Sequence, residues 1–272
     1  MNKLQMYCLA IDDSLKNKIK ELNYIPVGLG DYNFSEEWIR ENTGKNISHK
    51  NKYYGELTFH YWLWKNHLDK IPENTWIGFC AYRRFWSKNN TKPDKVINFK
   101  NEIIQNFDEL WNDYEVILGD KIHLTNIKWI KVLKYGKISF LRNPSIIFKK
   151  KRNIRFQFDM FHGNGNLDRA IDLLPEKDRE DFRNFTKYNT SYNQGNMFIT
   201  KSKEIMQRYY EDVFGWLEKC EHIFGFNLEG YGKTRIYGFL AERFLPYWFN
   251  KYSRVLEWPI IFYDLKKNNE KQ

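Results

Sequence analysis

The chain alternates short apolar runs with amphipathic stretches. Five runs, each bounded by polar, Gly or Pro positions, read as β-strands: Gln5–Ile11, Trp76–Tyr82, Glu115–Leu118, Met197–Thr200 and Trp258–Phe262. Helical spacing predicts a first helix over Ser14–Asn23. A second runs from about His49 to Leu68, with Leu57, Tyr61, Trp64 and Leu68 on one stripe and Ser48 as its N-cap. A third covers Lys203–Phe224 and aligns Ile205, Tyr209, Val213, Trp216, Cys220 and Phe224. A fourth starts near Thr234 and carries Ile236, Leu240 and Phe244; Pro246 is expected to kink or end it. Strands alternating with helices predict an α/β fold, a sheet with helices on its faces, in which ligands lie beyond the carboxyl ends of the strands. We read residues 1–272 as one domain, with a basic insertion at 121–158 and a flexible tail at 266–272.

Charge sharpens this picture. The 272 residues carry a formal net charge of +10. Between Lys121 and Phe158 stand 11 basic residues and no acidic one, so subtracting that block leaves the rest of the chain at −1. Positive charge confined to one block excludes a histone-like or ribosomal-tail character. A hydrophobic content of 42%, with 18% aromatic residues, excludes a disordered chain.

Cys8, Cys80 and Cys220 are far apart and form neither a CxxC pair nor a zinc spacing, as expected for small buried residues in a reducing compartment. No stretch approaches the ~18 apolar residues of a membrane span. The first residues lack the length and cleavage pattern of a signal peptide, so the expected location is the cytoplasm. Gly-rich phosphate loops, GxSxG, HExxH and Asp-x-Asp are absent, and no metal ligands are assigned.

Four patches carry candidate chemistry. In Glu41–Asn51 a Gly-containing turn leads into a helix start flanked by Lys45 and Lys50; such a terminus attracts anions, although an ordinary cap would use the same residues. The strand Trp76–Tyr82 runs into Arg83 and Arg84, whose forks suit a diphosphate. Alternation sends the two arginines to opposite faces, leaving a structural ion pair open for at least one. Asn193, Gly195 and Asn196 form a turn that can bring amides and bare backbone close to a sugar, although a plain turn would use the same residues. Glu242 lies off the apolar stripe of its helix, facing either solvent or a cleft, where it would suit a general base. Asp178 to Asp181, after Pro175, reads as a solvated helix start.

These patches resemble one family in particular. Tyr24–Gly28, Asn46-Ile-Ser-His-Lys-Asn51, Tyr54-Gly-Glu-Leu-Thr58 and Tyr61-Trp-Leu-Trp-Lys-Asn66 come first. They are followed by Ile77-Gly-Phe-Cys-Ala-Tyr-Arg-Arg-Phe85, Asn196-Met-Phe-Ile199 and Arg235-Ile-Tyr-Gly-Phe-Leu-Ala-Glu-Arg243. In this order they resemble domain of unknown function 4422, found in bacterial capsular and exopolysaccharide biosynthesis proteins. The sequence departs from the family near Ala10–Asp12 and at Ala81, where the family has Thr-His-Lys and His.

The resemblance implies a GT-A-type glycosyltransferase, a nucleotide-binding mixed sheet flanked by helices. It would pass a sugar, of hexosyl or related class and including the galactofuranosyl type, from a UDP- or dTDP-sugar to a lipid-linked capsular, exopolysaccharide or O-antigen glycan. It implies donor and nucleotide contacts at Asn46, Ser48, Lys50, Asn51, Tyr82, Arg83 and Arg84, and sugar or acceptor contacts at Asn193, Gly195 and Asn196. Glu242 would be the general base or a sugar-orienting carboxylate. Arginines neutralising the diphosphate would make a divalent metal dispensable. Lys121–Arg155 would meet the anionic inner face of the membrane, where each basic residue is worth about 1 kcal/mol. No nucleic-acid partner is expected. The alternatives are a nucleic-acid-binding protein using the 121–158 block, or a non-catalytic polysaccharide-assembly protein.

Overall fold

The computed structural model describes residues 3–93, 98–126, 141 and 152–267. At its centre, β1 (Lys3–Ala10) pairs in parallel with β2 (Ile25–Gly28) on one side and β4 (Thr75–Ala81) on the other. β3 (Ile39–Arg40) extends the sheet beyond β2. Beyond β4 lie β9 (Phe198–Thr200), β6 (Val116–Gly119) and β10 (Val255–Trp258), giving the order β10-β6-β9-β4-β1-β2-β3.

β9 is antiparallel to both neighbours, β4 and β6. It therefore enters the sheet at the edge where β1, β2 and β4 leave it. That reversal brings residues 194–197, just before β9, to the carboxyl ends of the parallel strands. The fold is thus mixed α/β, as expected.

Side chains along β1 and β4 alternate between two cores. Tyr7, Leu9, Ile77 and Phe79 join one core; Met6, Cys8, Trp76 and Cys80 join the other. The first core lies under α3 (Leu57–Asn66), α8 (Lys203–Phe224) and α10 (Ile236–Tyr252). The second lies under α1 (Lys16–Glu21) and gathers Trp86, Trp111 and Trp258. All three cysteines are buried thiols.

The third predicted helix forms over the expected residues. Ser202 caps α8 by accepting from the Ile205 amide, and the expected stripe is buried. The second is broken. α2 (Asn51–Tyr54) ends at Gly55, whose φ of +58° interrupts the chain before α3 begins. The expected strand Trp258–Phe262 also divides. Pro259 lacks an N–H, so β10 ends before it and β11 (Ile260–Phe262) turns to pair antiparallel with β5 (Arg84–Trp86). Pro246 neither ends α10 nor stands at its edge; the helix runs through it to Tyr252.

Other helices are α4 (Phe99–Glu102), α5 (Ile154–His162), α6 (Asn166–Ile171), α7 (Glu176–Tyr188) and α9 (Tyr231–Thr234). Asp178, expected in a solvated helix start, is 1% exposed. It accepts from the hydroxyls of Tyr247 and Tyr252 at 3.0 and 2.7 Å and from Lys251 at 3.1 Å. The packing of α10 on α7 supplies those partners.

Most of the basic block, residues 127–140 and 142–151, lies outside the described residues. Its flanks belong to the fold: β7 (Lys121–His123) pairs with β8 (Ser191–Asn193), and Ile154 and Phe158 of α5 are fully buried. At the other end, Lys266 is tied to Asp12 at 2.6 Å, and residues 268–272 lie outside the described residues. Among the described residues, no helix is long and apolar enough to cross a membrane.

Candidate functional site

A cavity of about 470 Å³ opens at the carboxyl ends of β1, β2 and β4. Its apolar floor includes Leu9, Leu29, Phe79 and Cys80. β4 emerges into Tyr82, Arg83 and Arg84, all of which line it. Both arginines line the same cavity, so alternation does not send them to opposite faces, but their partners differ. Arg83 Nε pairs with Asp264 at 2.8 Å, and its guanidinium lies 4.8 Å from the Tyr82 ring centroid. Arg84 lies 5.4 Å from the Phe262 ring, and among the described residues no carboxylate forms an ion pair with it.

Residues 194–196 face Arg84 closely. A Cβ on Gly195 would stand 3.2 Å from Arg84 Nη1, and Gly195 has a φ of +93°. Only glycine meets both demands without strain. The segment is held from three sides. The Gly195 amide donates to Glu242 Oε1 at 2.7 Å. Asn196 Nδ2 donates to Glu56 Oε1 at 2.9 Å and to the Gly238 carbonyl at 3.2 Å. His60 Nε2 lies 3.1 Å from the Asn196 carbonyl. A carbonyl only accepts, so Nε2 carries the proton and Nδ1 accepts from the Tyr210 hydroxyl at 2.8 Å. Burial drives the His60 pKa down to about 3, so the ring is a neutral brace near pH 7.

Glu242 is 7% exposed and both of its oxygens are engaged, one by Gly195 and the other by Arg243. Arg243, 1% exposed, also donates to Gln157 Oε1 at 2.8 Å and to the Phe239 carbonyl at 3.1 Å. Its guanidinium lies 4.9 Å from the Tyr192 ring and 5.5 Å from that of Phe158. This buried pair sits on α10 immediately behind the cavity wall.

The facing wall comes from α2, the turn after it and α9. Glu56 is about one-third exposed, with Arg235 at 3.5 Å. Asn51 is fixed by Glu41, whose Oε1 accepts from Asn51 Nδ2 at 3.1 Å and from the Gly30 amide at 2.9 Å. Glu41 is fully buried, and desolvation raises its pKa against the opposing pull of these donors and of Thr58. Asn51, Arg235 and Tyr231 also border a neighbouring cavity of about 530 Å³, which takes in Ser48, Gly30 and Tyr32.

The family described as domain of unknown function (DUF4422) matches residues 13–253. The chain belongs to this family. The apo structure of the WbbM bifunctional glycosyltransferase shares the fold, with a TM-score of 0.65 and 18% sequence identity. The match covers 96% of this chain and 45% of that one, so this chain spans less than half the length of WbbM. No curated protein matches the sequence.

In this DUF4422 protein, the structure brings Asn51, Tyr82, Arg83, Arg84, Gly195, Asn196 and Glu242 to one cavity. It places the remaining expected residues elsewhere. Lys50 pairs with Glu221 at 2.7 Å and lies 5.6 Å from the Phe226 ring. Asn46 closes a local turn, accepting from the Ser48 amide at 3.1 Å. Ser48 borders the 530 Å³ cavity. Asn193 is buried and donates to the Gly119 carbonyl at 2.5 Å. Glu242 faces the cleft side, one of the two orientations left open by its position, and is too enclosed for a solvated carboxylate.

Sequence reasoning left Glu56, Arg235, Tyr231 and His60 without roles. Glu56 and Arg235 stood inside the segments that carry the family resemblance, and nothing local distinguished them from capping residues. Among the described residues, no group of three His, Cys, Asp or Glu side chains gathers as a metal site would. The cavity's carboxylates, Glu56 and Glu242, are each engaged by an arginine, an arrangement that does not fit a divalent-ion site.

Proposed function

We propose that this protein is a glycosyltransferase that takes a nucleotide-sugar donor in the 470 Å³ cavity. The observation that carries the reading is Arg84: a guanidinium beside bare glycine backbone, at the carboxyl end of a central strand, with no ion-pair partner among the described residues. A diphosphate supplies the missing anion. Arg235, on the facing wall, shares its charge with Glu56 at 3.5 Å and so adds a weaker second contribution. When the bond from the anomeric carbon to the diphosphate oxygen breaks, the electron pair stays on the nucleoside diphosphate. Fixed guanidinium charges stabilise it there.

In this reading Asn51 and Tyr82 border the nucleotide, and Gly195 and Asn196 border the sugar. Of the two roles open to Glu242, general base or sugar-orienting carboxylate, its engaged oxygens favour the second, exerted through the Gly195 amide that it holds. The donor is a UDP- or dTDP-sugar, and a hexosyl group, including the galactofuranosyl kind, is the transferred class. Transfer without a divalent metal follows from the arginine-rich wall. The acceptor is a lipid-linked bacterial glycan, and the basic block Lys121–Arg155 meets an anionic leaflet, without Arg152, which is buried, or Lys121 and Arg155, which pair with Glu257 and Asp168. This last part rests on charge; binding to phosphatidylglycerol vesicles that survives neutralising Lys149–Lys151 overturns it.

The central test is a thermal-shift panel of nucleoside diphosphates and nucleotide-sugars, with and without chelator. A ligand at a hundred times its Kd adds about 2.7 kcal/mol of stability. For a chain of this size that is a rise of roughly 5–10 °C. The expected rise appears with a uridine or thymidine diphosphate and is unchanged by EDTA. No rise with any of them removes the glycosyltransferase reading.

A further inference from the structure

Beyond the donor cavity, α5, α9 and α10 enclose a third space of about 620 Å³. Gln194, Tyr231, Phe239 and Glu242 line both this space and the donor cavity. We propose that it binds the terminal saccharide of the acceptor glycan, presenting a hydroxyl to the donor across the wall that holds Glu242. The assignment rests on the glycosyltransferase reading and moves the acceptor away from Asn193, which the structure buries against Gly119.

Contiguity is the first argument. Transfer forms a bond between an acceptor hydroxyl oxygen and the donor's anomeric carbon, breaks the bond from that carbon to the diphosphate, and releases the hydroxyl proton to water in the open cleft. The reacting atoms must approach to about 3–3.5 Å. The acceptor therefore has to occupy a space joined to the donor's. The 620 Å³ space borders the donor cavity along Gln194, Tyr231, Phe239 and Glu242, so a saccharide in it lies next to the donor. Both volumes lie within the roughly 300–1,000 Å³ typical of small-molecule sites.

The lining chemistry of the two cavities overlaps at Tyr231, Phe239 and Gln194; what the 620 Å³ space adds is the ring of Phe161 and the amide of Gln157. Rings for the apolar faces of a sugar and amides for its hydroxyls suit a saccharide. Formal charges here cancel: Lys233 and Arg243 stand against Glu229 and Glu242, and Arg243 pairs with Glu242. His162 adds none. Its Nδ1–H donates to the Gly232 carbonyl at 2.9 Å, Nε2 faces Arg243, and burial followed by the Arg243 charge lowers its pKa to about 3. The donor cavity, by contrast, holds Arg84 without an ion-pair partner among the described residues. A diphosphate is drawn there and a neutral sugar here.

Tyr231 stands at the junction. It lines all three cavities and remains 72% exposed, with Arg235 5.5 Å from its ring and the Phe239 ring edge-on at 6.0 Å. The backbone on either side fixes it. Gly230 has a φ of +84°, and a Cβ on Gly232 would lie 2.2 Å from the Phe161 carbonyl oxygen. The ring is thus carried on a segment locked against α5, which forms the saccharide wall.

The test uses p-nitrophenyl glycosides of common hexopyranoses and hexofuranoses, observed by saturation-transfer NMR with UDP present. Glycoside and UDP are expected to bind together. Phe161→Ala is expected to weaken the glycoside about tenfold, as loss of an aromatic face does. Lys233→Glu, a surface change that does not threaten folding, lowers it in the same direction. Arg84→Ala weakens UDP and leaves the glycoside bound. Three outcomes overturn the assignment: competition between UDP and glycoside, no signal from any glycoside while UDP binds, or glycoside affinity unmoved by both Phe161→Ala and Lys233→Glu. Failure of UDP and every other nucleotide to bind instead strikes the glycosyltransferase reading itself.

Discussion

Arg84→Ala lowers the affinity for a nucleoside diphosphate by at least tenfold and by as much as about a hundredfold, while the melting temperature stays near that of the parent protein. A hydrogen bond to a charged group contributes about 1.5–3 kcal/mol, and the guanidinium can form two to one phosphate. The folded protein loses little with it, because Arg84 contacts a ring face and no carboxylate among the described residues. Arg83→Ala is the matched control for charge: its ion pair with Asp264 involves a half-exposed side chain, and such pairs contribute about 0–1 kcal/mol. Isothermal titration with UDP reads both variants. Equal affinity of Arg84→Ala and the parent protein removes Arg84 from the donor site.

Arg243→Met destabilises the protein by about 3–5 kcal/mol, because it leaves the buried Glu242 carboxylate without its counter-charge. At roughly 2–4 °C per kcal/mol, the melting temperature falls by about 10 °C. Methionine roughly keeps the volume between Tyr192 and Phe158, so the loss reports charge more than packing. Adding Glu242→Gln to that variant removes the stranded charge and recovers part of the stability. A single variant melting within 2 °C of the parent, by differential scanning calorimetry, shows that Arg243 does not hold Glu242.

These two arginines mark where the sequence was legible and where it was not. Arg84 follows a strand whose apolar run is unmistakable, so its place at the sheet's carboxyl edge could be read directly. Arg243 stood in the sequence only as the end of a family-like segment, with no role of its own. Its burial depends on α5, and α5 was hidden: Ile154, Phe156, Phe158 and Met160 alternate with polar residues, the period of a strand. The helix forms because Asn153 caps it, accepting from the Phe156 amide, and because neighbours cover it on several sides. β2 escaped notice for another reason. Its four residues include Pro26, and a strand that short carries almost no periodic signal.

Lys50 shows the opposite failure. Beside a helix start it had every local mark of an anion-binding residue, yet Glu221 of α8, far along the chain, takes its charge. Asp178 was misplaced by the same logic, since its partners sit on α10.

The sequence by itself determined the α/β class, the family, the strand that delivers Arg83 and Arg84, and the long helix α8. Each rests on local information: apolar periodicity, a cap, a contiguous motif. Only the tertiary structure decided which charged groups are free and which are spent. It gave Lys50 to Glu221, Arg83 to Asp264 and Glu242 to Arg243, and left Arg84 open beside Gly195. The physical reason is that an ion pair depends on proximity in space, and packing joins residues as far apart in the chain as Lys50 and Glu221, or Arg83 and Asp264.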